Sequence, residues 1–96
     1  MKTIEMPSAI DETLVEMLRA VANPMRYRIL QILAERGECQ CGPIGDMLPI
    51  AASTLSQHLK VLREAGLVQG TVDGPSVCYC RDEERIDWLK HHIQQL

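Results

Sequence analysis

The chain has 96 residues, a length that fits one small domain with a modest hydrophobic core. Its net charge of −3 argues against a protein that coats nucleic acid non-specifically, because such proteins are strongly basic. It has no apolar run of about 18 residues and starts without the long apolar segment of a secretory signal. We therefore expect one cytoplasmic domain over 1–96 with no membrane association, and a flexible tail over 1–8.

Apolar residues at helical spacing predict a first helix over about 9–22, which Ser8 or Asp11 could cap. The dipeptide Asn23-Pro24 predicts the end of this helix and the start of a second, with asparagine as the N-cap and proline as the first helical residue. The apolar face of the second helix continues to about Arg36.

A short strand and a short helix are predicted next. Residues 38–41 are too few for a helix and are typical of a brief strand. Gly42-Pro43 then opens a third helix, which Pro49 ends. The turn that follows leads into the most informative stretch of the chain.

The stretch from Ile50 to Gly66 predicts an amphipathic helix. Its apolar residues Leu55, Leu59 and Leu62 recur at one helical face. Short hydrogen-bonding side chains and a cation occupy the other face, which suits a helix lying in a DNA major groove. These residues are Ser53, Thr54, Ser56, Gln57, His58 and Lys60. With the preceding short helix, this one forms a helix-turn-helix in outline.

After Gly66 the spacing of the apolar residues changes from one typical of a helix to one typical of a strand. Residues 67–72 and 76–81 flank the turn Asp73-Gly74-Pro75 and predict a β-hairpin. Asp82 can cap a last helix over 82–96, whose apolar stripe continues to the final residue and needs a cover, such as a second copy of the chain. The predicted fold is mainly α, a winged helix-turn-helix of order α-α-β-α-α-β-β-α.

The chain resembles the ArsR/SmtB family of metal- and arsenic-sensing repressors over roughly residues 14–88. The resemblance is carried by Leu18–Leu30, by Glu38–Cys41 and most specifically by Ser53–Val68, with its string Ser-x-His-Leu-x-x-Leu-x-x-Ala-Gly-Leu-Val. It implies a winged-helix homodimer joined through its first and last helices, over 9–22 and 82–96. It also implies a repressor that binds double-stranded operator DNA and is released by an inducer.

The helix-turn-helix context makes the polar face of the 50–66 helix the predicted DNA contact. Residues predicted to approach bases are Ser53, Thr54, Gln57 and His58. Residues predicted to touch phosphates are Ser56 and Lys60. His58 could instead be a packed, hydrogen-bonded residue beside the apolar stripe. In the wing, Thr71 and Ser76 are candidate contacts, although the acid at Asp73 leaves a plain turn equally open.

Four cysteines form two Cys-x-Cys pairs, Cys39/Cys41 and Cys78/Cys80. Residues two apart in a strand share a face, so each pair presents both sulfurs on one side. In winged helices the short strand pairs with the second hairpin strand, which would bring all four sulfurs together. The pairs are therefore candidates for metal or redox chemistry in a reducing compartment.

Three fates of the cysteines remain open. They could bind zinc or another thiophilic species such as arsenite, form disulfides between adjacent strands, or stay reduced as small buried side chains with no cofactor. The family's arsenic site does not carry over intact, because Gly42-Pro43 follows the first pair. The family's interhelical metal spacing is not matched by Asp87, His91 and His92 either.

The favoured hypothesis is thus a repressor whose inducer, a thiophilic metal, a metalloid or an oxidant, acts at the cysteines. The alternative is a winged-helix module that binds protein instead of DNA, with merely structural cysteines. An enzyme is not expected, because no Gly-rich phosphate loop and no nucleophile–base pair is present.

Overall fold

The computed structural model describes residues 11–36, 40–41, 48–73 and 76–96, with backbone alone for 40–41, 71–73 and 76–77. The predicted tail over 1–8 and nearly all of the third predicted helix (42–48) lie outside this part of the chain. The elements in order are α1 (Glu12–Val21), α2 (Pro24–Arg36), β1 (Gln40–Cys41), α3 (Ala52–Glu64), β2 (Val68–Asp73), β3 (Ser76–Arg81) and α4 (Glu83–Gln94). The strands form one antiparallel sheet in the order β1-β3-β2.

Side-chain caps begin three of the helices where the sequence predicted them. The carboxylate of Asp11 accepts a hydrogen bond from the backbone N–H of Leu14 at 3.2 Å and begins α1. Asn23 Oδ1 accepts from the N–H of Met25 at 2.9 Å, which places Pro24 at the first position of α2. Asp82 caps α4 in the same way, and these predictions are confirmed.

The end of α3 is a Schellman motif built on Gly66. This glycine has a φ of 81°, and its N–H donates to the carbonyl of Arg63 at 3.0 Å. The N–H of Leu67 donates to the carbonyl of Leu62, also at 3.0 Å, and both leucine side chains are fully buried. The motif stops the helix and turns the chain directly into β2.

Replacing Gly66 with alanine should lower the free energy of unfolding by about 1–2 kcal/mol, because an L-residue is strained in this left-handed conformation. The added Cβ would also lie 3.4 Å from the Arg85 guanidinium. Urea unfolding of Gly66→Ala measures the effect. The reverse exchange, Ala51→Gly at the N-cap of α3, is the control and should not destabilise, since glycine is the better N-cap. Equal stability of Gly66→Ala and wild type would contradict this explanation.

A hydrophobic core holds the four described helices against the base of the hairpin. Met17 of α1, Ile29 of α2 and Leu62 of α3 are completely inaccessible to solvent, as is Leu67 after α3. The buried face of α3 is therefore fixed, and its opposite face is turned outward. None of the described helices is long and apolar enough to cross a bilayer.

Candidate nucleic-acid interface and cysteine site

The polar face of α3 lies on the surface of the domain. Leu59 and Leu62 anchor the helix in the core, with Leu55 packed at the edge. The side chains pointing the other way are exposed, and they are Ser53, Thr54, Ser56, Gln57 and Lys60. The structure thus places five of the six candidate residues of this helix on one accessible face.

This face is locally cationic although the chain is acidic. No acidic residue occurs between Asp46 and Glu64, whereas Lys60 and Arg63 lie within that interval. Lys60 Nζ is 4.0 Å from the Glu64 carboxylate, and both side chains are largely exposed, so water screens their attraction. The lysine ammonium therefore keeps its capacity to contact an anion.

The sixth candidate, His58, is half-buried and faces inward at Nδ1. This nitrogen lies 3.3 Å from Nη1 of Arg26 on α2. The arrangement matches the alternative raised from the sequence, in which His58 is packed and hydrogen-bonded.

Arg26 is a residue whose role the sequence did not reveal. Its Nε donates to the backbone carbonyl of Ala20 at 2.6 Å, and its Nη2 donates to that of Arg19 at 3.4 Å. One feature of the sequence could have identified it. Arg26 is a cation three residues after Asn23, which ends the first helix, and from there it can reach the negative end of that helix.

The wing is the predicted hairpin, except that Asp73 belongs to β2 instead of the turn. Val68 pairs with Arg81 at its base, and Asp73 pairs with Ser76 at its tip. The backbones of Thr71 and Ser76 are placed on β2 and β3, while their side chains are outside the described atoms. Their contact with DNA stays a prediction.

The two cysteine segments meet in the sheet. β1 pairs with β3 in the antiparallel sense, and Cys41 lies directly opposite Cys78. Cys78 and Cys80 are both disulfide-bonded, and Cys78 is 5% exposed. The alternative in which these two cysteines stay reduced is therefore not the state seen in the structure.

The disulfide-bonded site does not suit a metal. Thiophilic metals bind thiolates, and a sulfur in a disulfide carries no thiolate charge. Within the described ranges, no group of three or more His, Cys, Asp and Glu side chains could hold a metal ion. Zinc or arsenite would thus require reduction of the cysteines first.

The histidines of the last helix are packed locally. His92 stacks on Trp88 with a ring-centroid distance of 3.9 Å, and its Nδ1 lies 2.8 Å from the Trp88 carbonyl oxygen. His91 approaches the edge of the His92 ring. These contacts pack both histidine rings along α4 beside Trp88.

Comparison with known proteins agrees with this architecture. A helix-turn-helix domain family matches residues 21–71. The chain is 36% identical over 86 residues to an uncharacterised HTH-type transcriptional regulator of Methanocaldococcus jannaschii, covering 88% of this chain and 96% of that protein. It is 38% identical over 73 residues to the HTH-type transcriptional repressor SmtB of Mycobacterium tuberculosis, covering 76% of this chain but only 53% of the repressor.

A crystal structure of an ArsR family transcriptional regulator superposes with a TM-score of 0.75, covering 93% of this chain and 91% of that one. At 15% sequence identity this likeness establishes the fold alone.

Together, the fold and the matched sequences define a winged helix-turn-helix transcriptional regulator. The chain belongs to the ArsR/SmtB family of these regulators.

Proposed function

We propose that the protein is a homodimeric repressor that binds operator DNA through the exposed face of α3 and releases it when its cysteines are oxidised. The observation that carries DNA binding is the accessible face of α3, which has no acidic residue before Glu64, on a helix whose other side is locked in the core. Ser53, Thr54 and Gln57 are assigned to base edges, and Ser56 and Lys60 to phosphates.

Replacing Gln57 with alanine should weaken specific binding more than non-specific binding, because an amide reads base edges and contributes little to phosphate attraction. The target is a duplex that the wild-type protein has selected from a random-sequence library, compared with a scrambled duplex of equal length. Fluorescence anisotropy should show a loss of about 1–3 kcal/mol on the selected duplex only.

Lys60→Ala is the contrasting variant for this test. It should weaken binding to both duplexes and reduce the slope of log affinity against log salt by about one, as expected for a lost phosphate contact. Equal losses on both duplexes for Gln57→Ala would refute its assignment to base reading.

Dimer formation is proposed from apolar surface that one copy of the chain leaves uncovered. Leu18 on α1 and Ile93 on α4 are 36% and 43% exposed, and Leu96 after α4 is 93% exposed. α1 and α4 pack against each other, so these residues belong to adjoining elements. A second copy would bury them and set two recognition helices one DNA turn apart.

The release mechanism is proposed from the sheet register. Cys41 lies opposite Cys78 in the register of β1 and β3. We assign a second disulfide to Cys39 and Cys80, the remaining member of each Cys-x-Cys pair. Each pair of thiols would lose two protons and two electrons as one disulfide forms. Hydrogen peroxide that accepts these two protons and two electrons is reduced to two molecules of water.

Such bonds would couple the site to the DNA-binding surface through the chain itself. β1 lies on the path from α2 to α3, and β3 is a strand of the wing, so a covalent link between them restricts both. Favouring the non-binding arrangement by a few kcal/mol is sufficient to release DNA. A thiophilic metal or arsenite bound by the reduced cysteines is the competing inducer, and the test in the Discussion separates the two.

A further inference from the structure

The side chain of Arg26 joins three helices at one point. Asn23 Oδ1 accepts a hydrogen bond from the Arg26 backbone N–H at 3.1 Å, which fixes this residue in the first turn of α2. From there the guanidinium reaches back to α1 and across to α3.

At α1, Arg26 completes the hydrogen bonding of the helix end. The last four carbonyls of an α-helix lack partners within the helix. Those of Leu18 and Val21 accept from the N–H groups of Ala22 and Asn23. The remaining two, of Arg19 and Ala20, accept from the guanidinium of Arg26. This end of α1 is therefore held to α2 by the partly buried guanidinium of Arg26, whose positive charge also complements the negative end of the helix dipole.

At α3, the contact with Arg26 fixes the orientation of the His58 ring. An arginine side chain can only donate, so Nδ1 of His58 must accept the bond from Nη1 across 3.3 Å. Since Nδ1 is held from the side of α2, the ring of His58 is fixed in one orientation on α3.

From this geometry we infer that Arg26 is a positioning residue, which locks the rotation of α3 relative to α1 by holding His58; the inference rests on the proposed operator binding. The consequence reaches the dimer, because α1 is part of the proposed interface and α3 is the proposed reading helix. Arg26 would thereby set how the polar face of α3 is aimed in each half of the dimer. His58 serves as its acceptor instead of reading bases.

Two replacements of His58 that are isosteric with each other, Asn and Leu, test its role as a hydrogen-bond acceptor. Asn and Leu have nearly the same shape, but only Asn can place an oxygen near the position of Nδ1. His58→Asn should keep the affinity for the selected duplex within about threefold of wild type. His58→Leu should lower it about tenfold or more, the change expected when a hydrogen bond to a charged group is lost.

Arg26→Lys tests the other partner without changing charge. A single ammonium keeps any general attraction to DNA but cannot hold three acceptors on two helices. It should lower affinity about as much as His58→Leu, and the double variant should be no weaker than either single one. The matched control is Arg28→Lys on the same helix. Its guanidinium contacts the exposed Glu35 at 3.1 Å, and the variant should bind like wild type.

The outcomes separate the inference from the proposed function. If the wild type selects no duplex, the proposed operator binding fails, and this inference with it. If the wild type selects one but Arg26→Lys and His58→Leu bind it normally or lose affinity additively, the positioning role is overturned. Equal weakness of His58→Asn and His58→Leu would also overturn it, because the ring itself would then be contacting DNA.

Discussion

Oxidation of the reduced protein should lower its affinity for the selected operator duplex by about 100-fold, equivalent to nearly 3 kcal/mol. The reason is that bonds between β1 and β3 tie the segment leading to α3 to a strand of the wing. The measurement is anisotropy on protein treated with excess peroxide, followed by recovery of binding after a dithiol reductant is added. Peptide mapping of the oxidised sample should identify Cys41–Cys78 and Cys39–Cys80.

The control for this result is the double variant Cys78→Ala with Cys80→Ala. Alanine keeps the apolar character of the buried Cys78 site and removes both sulfurs from β3. We expect this variant to bind the duplex like the reduced wild type and to ignore peroxide. Release of the double variant by peroxide, or full binding by oxidised wild type, would contradict the proposed switch. Release of the reduced wild type by zinc or arsenite, with no response to peroxide, would assign the site to metal sensing.

Placing an acid at Ile93 should convert the protein to monomers and reduce operator affinity by about 100-fold or more, because each monomer can engage only one half-site. Ile93 is partly exposed in a single chain, so Ile93→Glu does not bury a charge in the chain's own core. Sedimentation equilibrium gives the mass, and anisotropy on the same sample gives the affinity.

Gln94→Glu supplies the matched control for the dimer. It introduces the same acid one residue further along α4, at an exposed position outside the apolar stripe. We expect it to remain dimeric and to bind DNA normally. A monomeric wild type would contradict the proposed dimer. A dimeric Ile93→Glu variant would contradict the placement of α4 in its interface.

Local signals explain why most of the fold could be predicted. Asp11, Asn23 and Asp82 cap helices through side chains that reach only three residues or fewer along the chain. Gly66 ends α3 because its positive φ is tolerated without a Cβ. These features depend on short stretches of sequence, so the pattern of residue types was enough to locate them.

Contacts between distant residues were less accessible to prediction. Arg26 and His58 are separated by 32 positions, and each is an ordinary residue on its own helix, so nothing in the sequence marked them as partners. The cysteine pairs were visible, and the strand order of winged helices predicted that the two segments meet. Their chemistry was left open, because metal binding and disulfide formation require the same residues at the same spacing.

The most direct test of the central hypothesis is the affinity of the reduced wild-type protein for the selected duplex and its scrambled counterpart at two salt concentrations. Operator recognition through α3 predicts binding that weakens as salt rises and that favours the selected duplex by about 1,000-fold or more. Binding that is absent, or equal for both duplexes, would contradict operator recognition and favour a winged-helix module that contacts another protein.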